Sequence, residues 1–381
     1  MDTTEPKDLM QRYPLVRYTF LLLFGFLFIG ALYYARALLV PMSLAALLAM
    51  LMLPLCKKFE SWRFPRGLAI VLCILIILLT FLALISLFTW QIADFASDIP
   101  SLQVQLNKKL DMLQGFVERQ TNISPERQLE YIRQQFSTFL ESAGQYMTGI
   151  LSATTGTLAT IGILAIYIFF FMFYREKFER FTLMITPNAE HDKVKNIIGQ
   201  ISLVTQQYLS GVLIVVVILS TLNSVGLLVI GIRQAIFLGC LAGILNIIPY
   251  IGVLIGSLLP IIIALLTKDG IGPAIAVAGV FVFVQFLENN FLTPNIVGGK
   301  VKINPLASII ALLIGGSLWG VAGMILFIPF LGIAKIIFDN IESLRPYGYL
   351  IGDESDTEEP NAADKIKKWV KKKRADKQPI P

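Results

Sequence analysis

The feature that most constrains this chain is the succession of apolar runs too long for a soluble core. A membrane helix needs roughly 20 apolar residues, and seven regions of this sequence meet or exceed that length. They lie at about 18–35, 37–55, 67–90, 149–174, 208–231, 235–267 with 271–292, and 305–340. Charged residues make up 15% of the chain, against about 25% in a typical soluble domain. Lipid tails form no hydrogen bonds, so each span must satisfy its own backbone, which favours helices. The expected fold is an all-α membrane protein of about seven to eight transmembrane helices, some broken or re-entrant, with an external helical hairpin.

Basic residues set the expected topology. Arg12 and Arg17 precede the first helix. Lys57, Lys58, Arg63 and Arg66 crowd the loop after the second, and Arg175, Lys177 and Arg180 follow the fourth. Lys and Arg concentrate in cytoplasmic loops, so these segments are placed inside and both termini are expected in the cytoplasm of a bacterial inner membrane. The net charge of +6 is a topology signal, because no basic stripe is interleaved with stacking aromatics and no nucleic-acid partner is expected.

Four regions follow. Residues 1–90 form a three-helix membrane region. Residues 91–148 lie outside, where Leu102, Leu106, Leu110, Leu113 and Val117, then Leu129, Ile132, Phe136 and Phe139, recur at helical spacing. These predict an amphipathic hairpin whose apolar faces pack on each other or on a neighbouring subunit. Residues 149–345 form the transport core, with a cytoplasmic helix at 176–207 interrupted near Pro187-Asn188. Residues 346–381 are a charged tail. Its acidic part, Asp353 to Glu359, precedes a basic helix with Ile366, Trp369 and Val370 on one face, suited to anionic lipid.

The run at 235–267 is too long for one crossing and too short for two. Asn246, Pro249, Tyr250 and Gly252 sit at its middle. Proline removes a backbone donor, and a break at membrane depth survives only against protein or a wet cavity. The run at 305–340, with Gly315, Gly316 and Gly320, has the same ambiguity. Both runs doubling back would agree with Lys300 and Lys302 lying inside; both spanning once would put 293–304 outside. The first arrangement is preferred.

Inside the apolar segments one acid stands out, Glu288. Gln285, Glu288 and Asn289 share a helix face, and Thr293 and Pro294 extend the polar cluster. A carboxylate at membrane depth is costly and normally lines a path. The bland alternative puts Glu288 near the interface, paired with Lys300 or Lys302. Lys335 and Asp339, four apart, read as a modest surface pair.

Enzymatic chemistry finds no support. Walker A and HExxH patterns are missing, and His191 is the only histidine. Cys56, Cys73 and Cys240 are scattered without a CxxC pair, so no disulfide, metal or cofactor is expected.

The motifs Asn246-Ile-Ile-Pro249-Tyr250-Ile-Gly252, Pro260, Gln285-Phe-Leu-Glu288-Asn-Asn-Phe-Leu-Thr293-Pro294-Asn-Ile-Val-Gly298 and Asn304-Pro305 resemble, in order and spacing, the autoinducer-2 exporter family of permease-like proteins. The resemblance covers about 15–345. It implies about eight membrane helices, a variable external segment after the third, homo-oligomeric assembly and transport of small solutes. Export of the autoinducer-2 signal and cation/proton antiport are the activities linked to its members. Asn304 departs from the histidine many members carry there. The site residues implied by cluster and resemblance together are Glu288, Gln285, Asn289, Asn246, Pro249, Tyr250, Gly252, Thr293, Pro294, Asn304 and Pro305. A passive oligomeric pore and a membrane scaffold remain as alternatives.

Overall fold

A computed structural model describes residues 14–121, 130–131, 133–135, 138, 154–248, 251–297 and 303–353. Among these the structure is all helical; the sole strand-like pairing is an isolated antiparallel bridge between Ile303 and Gly352. Among the described residues five helices are long and apolar enough to cross a membrane, with shorter apolar helices beside them. The protein is an all-α membrane protein. Its lipid-facing character shows in α1 (Pro14–Tyr34), whose leucines and phenylalanines are largely exposed.

Helix α2 (Arg36–Ser61) returns from α1 and packs on α3 (Arg66–Thr121) and α4 (Thr154–Phe173). Small residues make close packing possible: Ala45, Ala49 and Cys56 of α2 meet Ala69, Ile70 and Cys73 of α3, with Ile168 and Met172 of α4. One end of this bundle gathers charge. Arg175 Nη2 donates to Glu60 Oε2 at 2.6 Å, and Arg66 reaches Glu176 at 3.1 Å and the Met172 carbonyl at 3.1 Å. We call this end the basic face.

Helix α3 holds a surprise for the hairpin expected at 91–148. No boundary separates it from the third membrane helix; α3 runs unbroken through Pro100 to Thr121. At about 1.5 Å per residue its 56 residues extend about 84 Å, far more than the roughly 30 Å of hydrocarbon. Nor are Leu102, Leu106 and Leu110 kept for the second arm. They are buried with Ile92 and Phe95 against Phe237, Ile263 and Leu266 of the C-terminal half. Polar contacts pin the same stretch: Asp98 accepts from Arg233 at 3.1 Å and from Gln234, while Lys109 Nζ donates to the Lys268 carbonyl at 2.8 Å. The second arm touches α3 where Arg133 meets Asp111 at 2.9 Å. Leu129, Ile132, Phe136 and Phe139 lie outside the described residues, as do residues 354–381 with the predicted basic helix.

After α5 (Arg175–Met184) and a one-turn 3-10 segment (Asn188–Glu190), α6 (His191–Ile230) rises from the basic face to the opposite face. The interruption near Pro187-Asn188 is present, but the segment after it and the next membrane span are one helix. Gly231, at φ +80°, ends it in the left-handed conformation that glycine adopts without strain.

The run 235–267 doubles back. Helix α7 (Ala235–Leu245) packs antiparallel on α6, Gly239 against Ser224 and Gly243 against Ser220. It is 11 residues, about 16 Å, so it stops near mid-membrane. Helix α8 (Ile251–Thr267) then returns antiparallel to α7, with Gly256 against Ala242. At the tip, a Cβ on Gly252 would overlap the Leu245 carbonyl; only glycine lets the arms approach this closely.

Helix α9 (Gly272–Leu287) and a π-helical continuation (Glu288–Val297) cross antiparallel to α6, ending with Ile296 beside Gly211. The π segment tilts the hydrogen-bond pattern, and Asn290 and Asn295 donate from their side chains to carbonyls four residues back, at 2.8 and 2.7 Å.

Helix α10 (Pro305–Asn340) is two antiparallel arms folded at Gly320, whose φ +62°, ψ −144° only glycine adopts readily. Gly315 and Gly323 touch across the fold, and Trp319 near its tip donates to the Leu32 carbonyl at 3.0 Å. The mouth is tied by Asn304, which donates to the Leu350 and Gly352 carbonyls beside α11 (Arg345–Ile351). Both long runs are therefore re-entrant, entering from opposite faces. Lys335 corrects the surface-pair expectation: it is buried at 7% exposure and holds Asp339 at 2.6 Å, under Gly348 and Gly352.

Two substitutions test this architecture. Gly252→Ala forces the hairpin arms apart and costs about 3 kcal/mol, read as a lowered unfolding midpoint in detergent; an unchanged midpoint would contradict the tip geometry. Asp98→Ala strands the buried Gln234 amide and costs about 1–3 kcal/mol, with faster amide exchange in residues 92–112. Exchange identical to the parent protein would refute the pinning of α3.

Candidate functional site

The two hairpins and the crossing helices converge on Glu288. It begins the π segment and is only 8% exposed. Asn246, the residue that caps α7 at the first hairpin's tip, donates Nδ2–H to Glu288 Oε1 at 2.6 Å. Gln285, one turn earlier, donates Nε2–H to Oε2 at 3.0 Å and to Asn289 Oδ1 at 3.2 Å. Each carboxylate oxygen thus accepts an amide proton. Bonds from neutral donors to a charged acceptor recover part of the desolvation cost without neutralising the charge. Among the described residues no ion pair is recorded for Glu288; Lys300 and Lys302 lie outside them.

The carboxylate faces a cavity of about 620 Å³, within the range of roughly 300–1,000 Å³ typical of small-molecule sites. Its wall is mixed. Tyr208, Val212, Val215 and Val216 come from α6, Asn246 and Ile247 from the first hairpin, and Ser308 and Ile328 from opposite arms of the second. Gln285, Asn289, Thr293 and Val297 complete it from α9 and its continuation. The break at 246–252 also turns two helix ends toward this region, the carbonyl end of α7 and the amide end of α8. Such ends carry opposite partial charges, the arrangement found where discontinuous membrane helices bind ions or polar solutes.

Of the residues singled out from the sequence, Asn246, Gln285, Glu288, Asn289 and Thr293 share this cavity. Gly252 lines a smaller chamber behind Glu288. Pro294 lies in the π segment without lining either. Asn304 and Pro305 stand apart, at the start of α10. Asn304 is spent on structure: its Oδ1 accepts from Ala307 N at 2.8 Å, capping the helix that Pro305 opens. Pro249 and Tyr250 fall outside the described residues. Tyr208, Ser308 and Asn223 were not anticipated. Asn223 had a usable signal, a primary amide in the middle of an apolar run; Tyr208 and Ser308 depended on how the helices cross.

Among the described residues no cluster of histidine, cysteine and acidic side chains could hold a metal ion.

Comparison with known proteins agrees with this architecture. The chain is 30% identical over 334 residues to Bacillus subtilis YueF, named as a transport protein, covering 84% of this chain and 88% of the relative. Escherichia coli YhhT, also named as a transport protein, is 25% identical over 332 residues, 85% and 90% of the two chains. Escherichia coli TqsA, named as an AI-2 transport protein, is 23% identical over 325 residues, 84% and 91%. The sequence pattern of the AI-2E family transporters matches residues 21–343, nearly the whole membrane region built around Glu288, and the protein is a member of that family of multi-pass membrane transporters.

Proposed function

We propose that the protein is a secondary transporter that exports small polar solutes, with Glu288 as the group that binds substrate or coupling ion. The observation that carries this reading is a buried carboxylate whose recorded partners are amides, at the floor of a solute-sized cavity between two broken helices. A charge at membrane depth costs several kcal/mol. Amide partners hold the carboxylate in place, yet leave it free to trade a proton for a cation or a hydroxyl group. Valine walls with amide and hydroxyl donors suit a small hydroxyl-bearing solute. The name of TqsA points to the autoinducer-2 signal as the first candidate. A second reading, cation/proton antiport, is favoured by the same uncompensated carboxylate.

A passive pore is less well supported, because the Asn246–Glu288–Gln285 contacts close the far side of the cavity. An enzyme is disfavoured by the family and by the residues lining the cavity. The positive-inside rule makes the basic face cytoplasmic, with both termini there. The protein is then an inner-membrane exporter that takes up its solute from the cytoplasmic half. In this reading 1–90 is a supporting bundle, 91–148 an external regulator or oligomer contact, 149–345 the transport core, and 346–381 an anionic-lipid anchor. Homo-oligomeric assembly follows from the family resemblance.

Glu288→Gln keeps the size and hydrogen-bonding reach of the side chain and removes its charge. In proteoliposomes it should lower gradient-coupled flux at least about tenfold, a loss of about 1.4 kcal/mol in transition-state stabilisation, and flatten its pH dependence. Full flux with an unaltered pH profile would remove Glu288 from the mechanism. Asn246→Ala strands one carboxylate oxygen, at a cost of about 1–3 kcal/mol, and should lower flux while the protein still folds. Metabolites retained by cells carrying Glu288→Gln, compared with cells carrying the parent protein, identify the solute; no difference in any metabolite would favour ion antiport.

A further inference from the structure

Glu288 has a second side. Opposite the large cavity it borders a chamber of about 20 Å³, shared with Asn223, Ala242, Gly256 and Phe281. Helix directions locate this chamber. On α6, Asn223 lies beyond Tyr208 and Val216 in the direction away from the basic face, and on α9, Phe281 precedes Gln285 in the same sense. The chamber is therefore the next space along a line that runs from the large cavity, past the carboxylate, toward the opposite face.

Asn223 is 5% exposed, and its Oδ1 is buried without a hydrogen-bond partner among the described residues. A buried amide oxygen is costly to leave unsatisfied, and native interiors rarely do so. The missing partner must be a donor or a cation. Size and ligand number decide between them. One water needs roughly 10–15 Å³ of such space and two or more polar partners, which this chamber provides. A hard metal cation collects about six oxygens, whereas here Asn223 offers one and Glu288 at most two, each still able to accept a second donor beside its amide.

We propose that Asn223 and Glu288 hold one water molecule between them, donating to the Asn223 amide oxygen and to the carboxylate. This water puts Glu288 in hydrogen-bonded contact with both halves of the membrane path, which makes Asn223 a positioning residue for the carboxylate. That functional consequence rests on the transport reading above; the binding site itself does not.

A crystal or cryo-electron-microscopy map of the full chain at about 2 Å, collected once in sodium chloride and once in choline chloride, tests the site. The expected result in both is a density peak within about 3.2 Å of Asn223 Oδ1 and of the Glu288 carboxylate. In Asn223→Leu the peak should vanish while the Asn246 and Gln285 bonds to Glu288 persist. A chamber closed by side chains, or a peak seen only with sodium and at shorter contact, would overturn the assignment. In proteoliposomes, Asn223→Leu should lower coupled flux about tenfold and Asn223→Ser, which keeps an acceptor, less than about threefold; equal flux for both would deny the positioning role. If Glu288→Gln transports normally yet the density peak stands, the transport reading fails and the water site survives.

Discussion

The structure depends on one constraint: in lipid, every peptide group must find its partner within the protein. A chain that interrupts helices at membrane depth has to surround the interruptions. The first hairpin does so by pressing α7 against α6 along Gly239 and Gly243, and α8 against α7 at Gly252 and Gly256. The second folds at Gly320 and ties its mouth with Asn304. Small residues let backbones approach, and side-chain amides take up carbonyls that regular helices would have used. The π-helical stretch after Glu288 follows the same economy, with Asn290 and Asn295 covering carbonyls in the altered register. π-Helical stretches often mark functional positions, and this one starts at the buried acid.

Polar residues in these segments therefore fall into two kinds. Asn304, Asn290 and Asn295 answer to the backbone. Asn246, Gln285 and Asn289 answer to Glu288 or to one another. That division separates scaffold from site more sharply than residue type does. It also explains how Asn304 and Asn246 can sit in motifs of equal prominence and do different things.

Much of this was legible in the sequence. The apolar runs, the broken character of 235–267, and the pairing of Gln285 with Glu288 follow from length, proline and glycine placement, and helical spacing. The continuity of α3 was not legible. Its periodic leucines specify an amphipathic helix but not what covers the apolar face, and the cover turned out to be Phe237, Ile263 and Leu266 from more than a hundred residues away. Burial of Lys335 was hidden for a related reason. An i,i+4 ion pair looks the same on a surface as beneath a later helix, and only the fold of α11 over it decides. Asn223 was visible as an amide within an apolar run, but a single amide has no spacing pattern to say what it faces.

The unbroken α3 helix is also a lever. Its lower part is wedged between α2 and α4, while its outer part is fastened at Asp98 and Lys109 to the loops that flank the first hairpin. A rigid rod magnifies angles: a lean of about 5° around mid-bilayer sweeps the Lys109 end sideways by about 4 Å at 1.5 Å of rise per residue. Rocking in the N-terminal bundle would thus arrive at the re-entrant hairpin as a pull on its roots, so the two halves of the molecule cannot tilt independently.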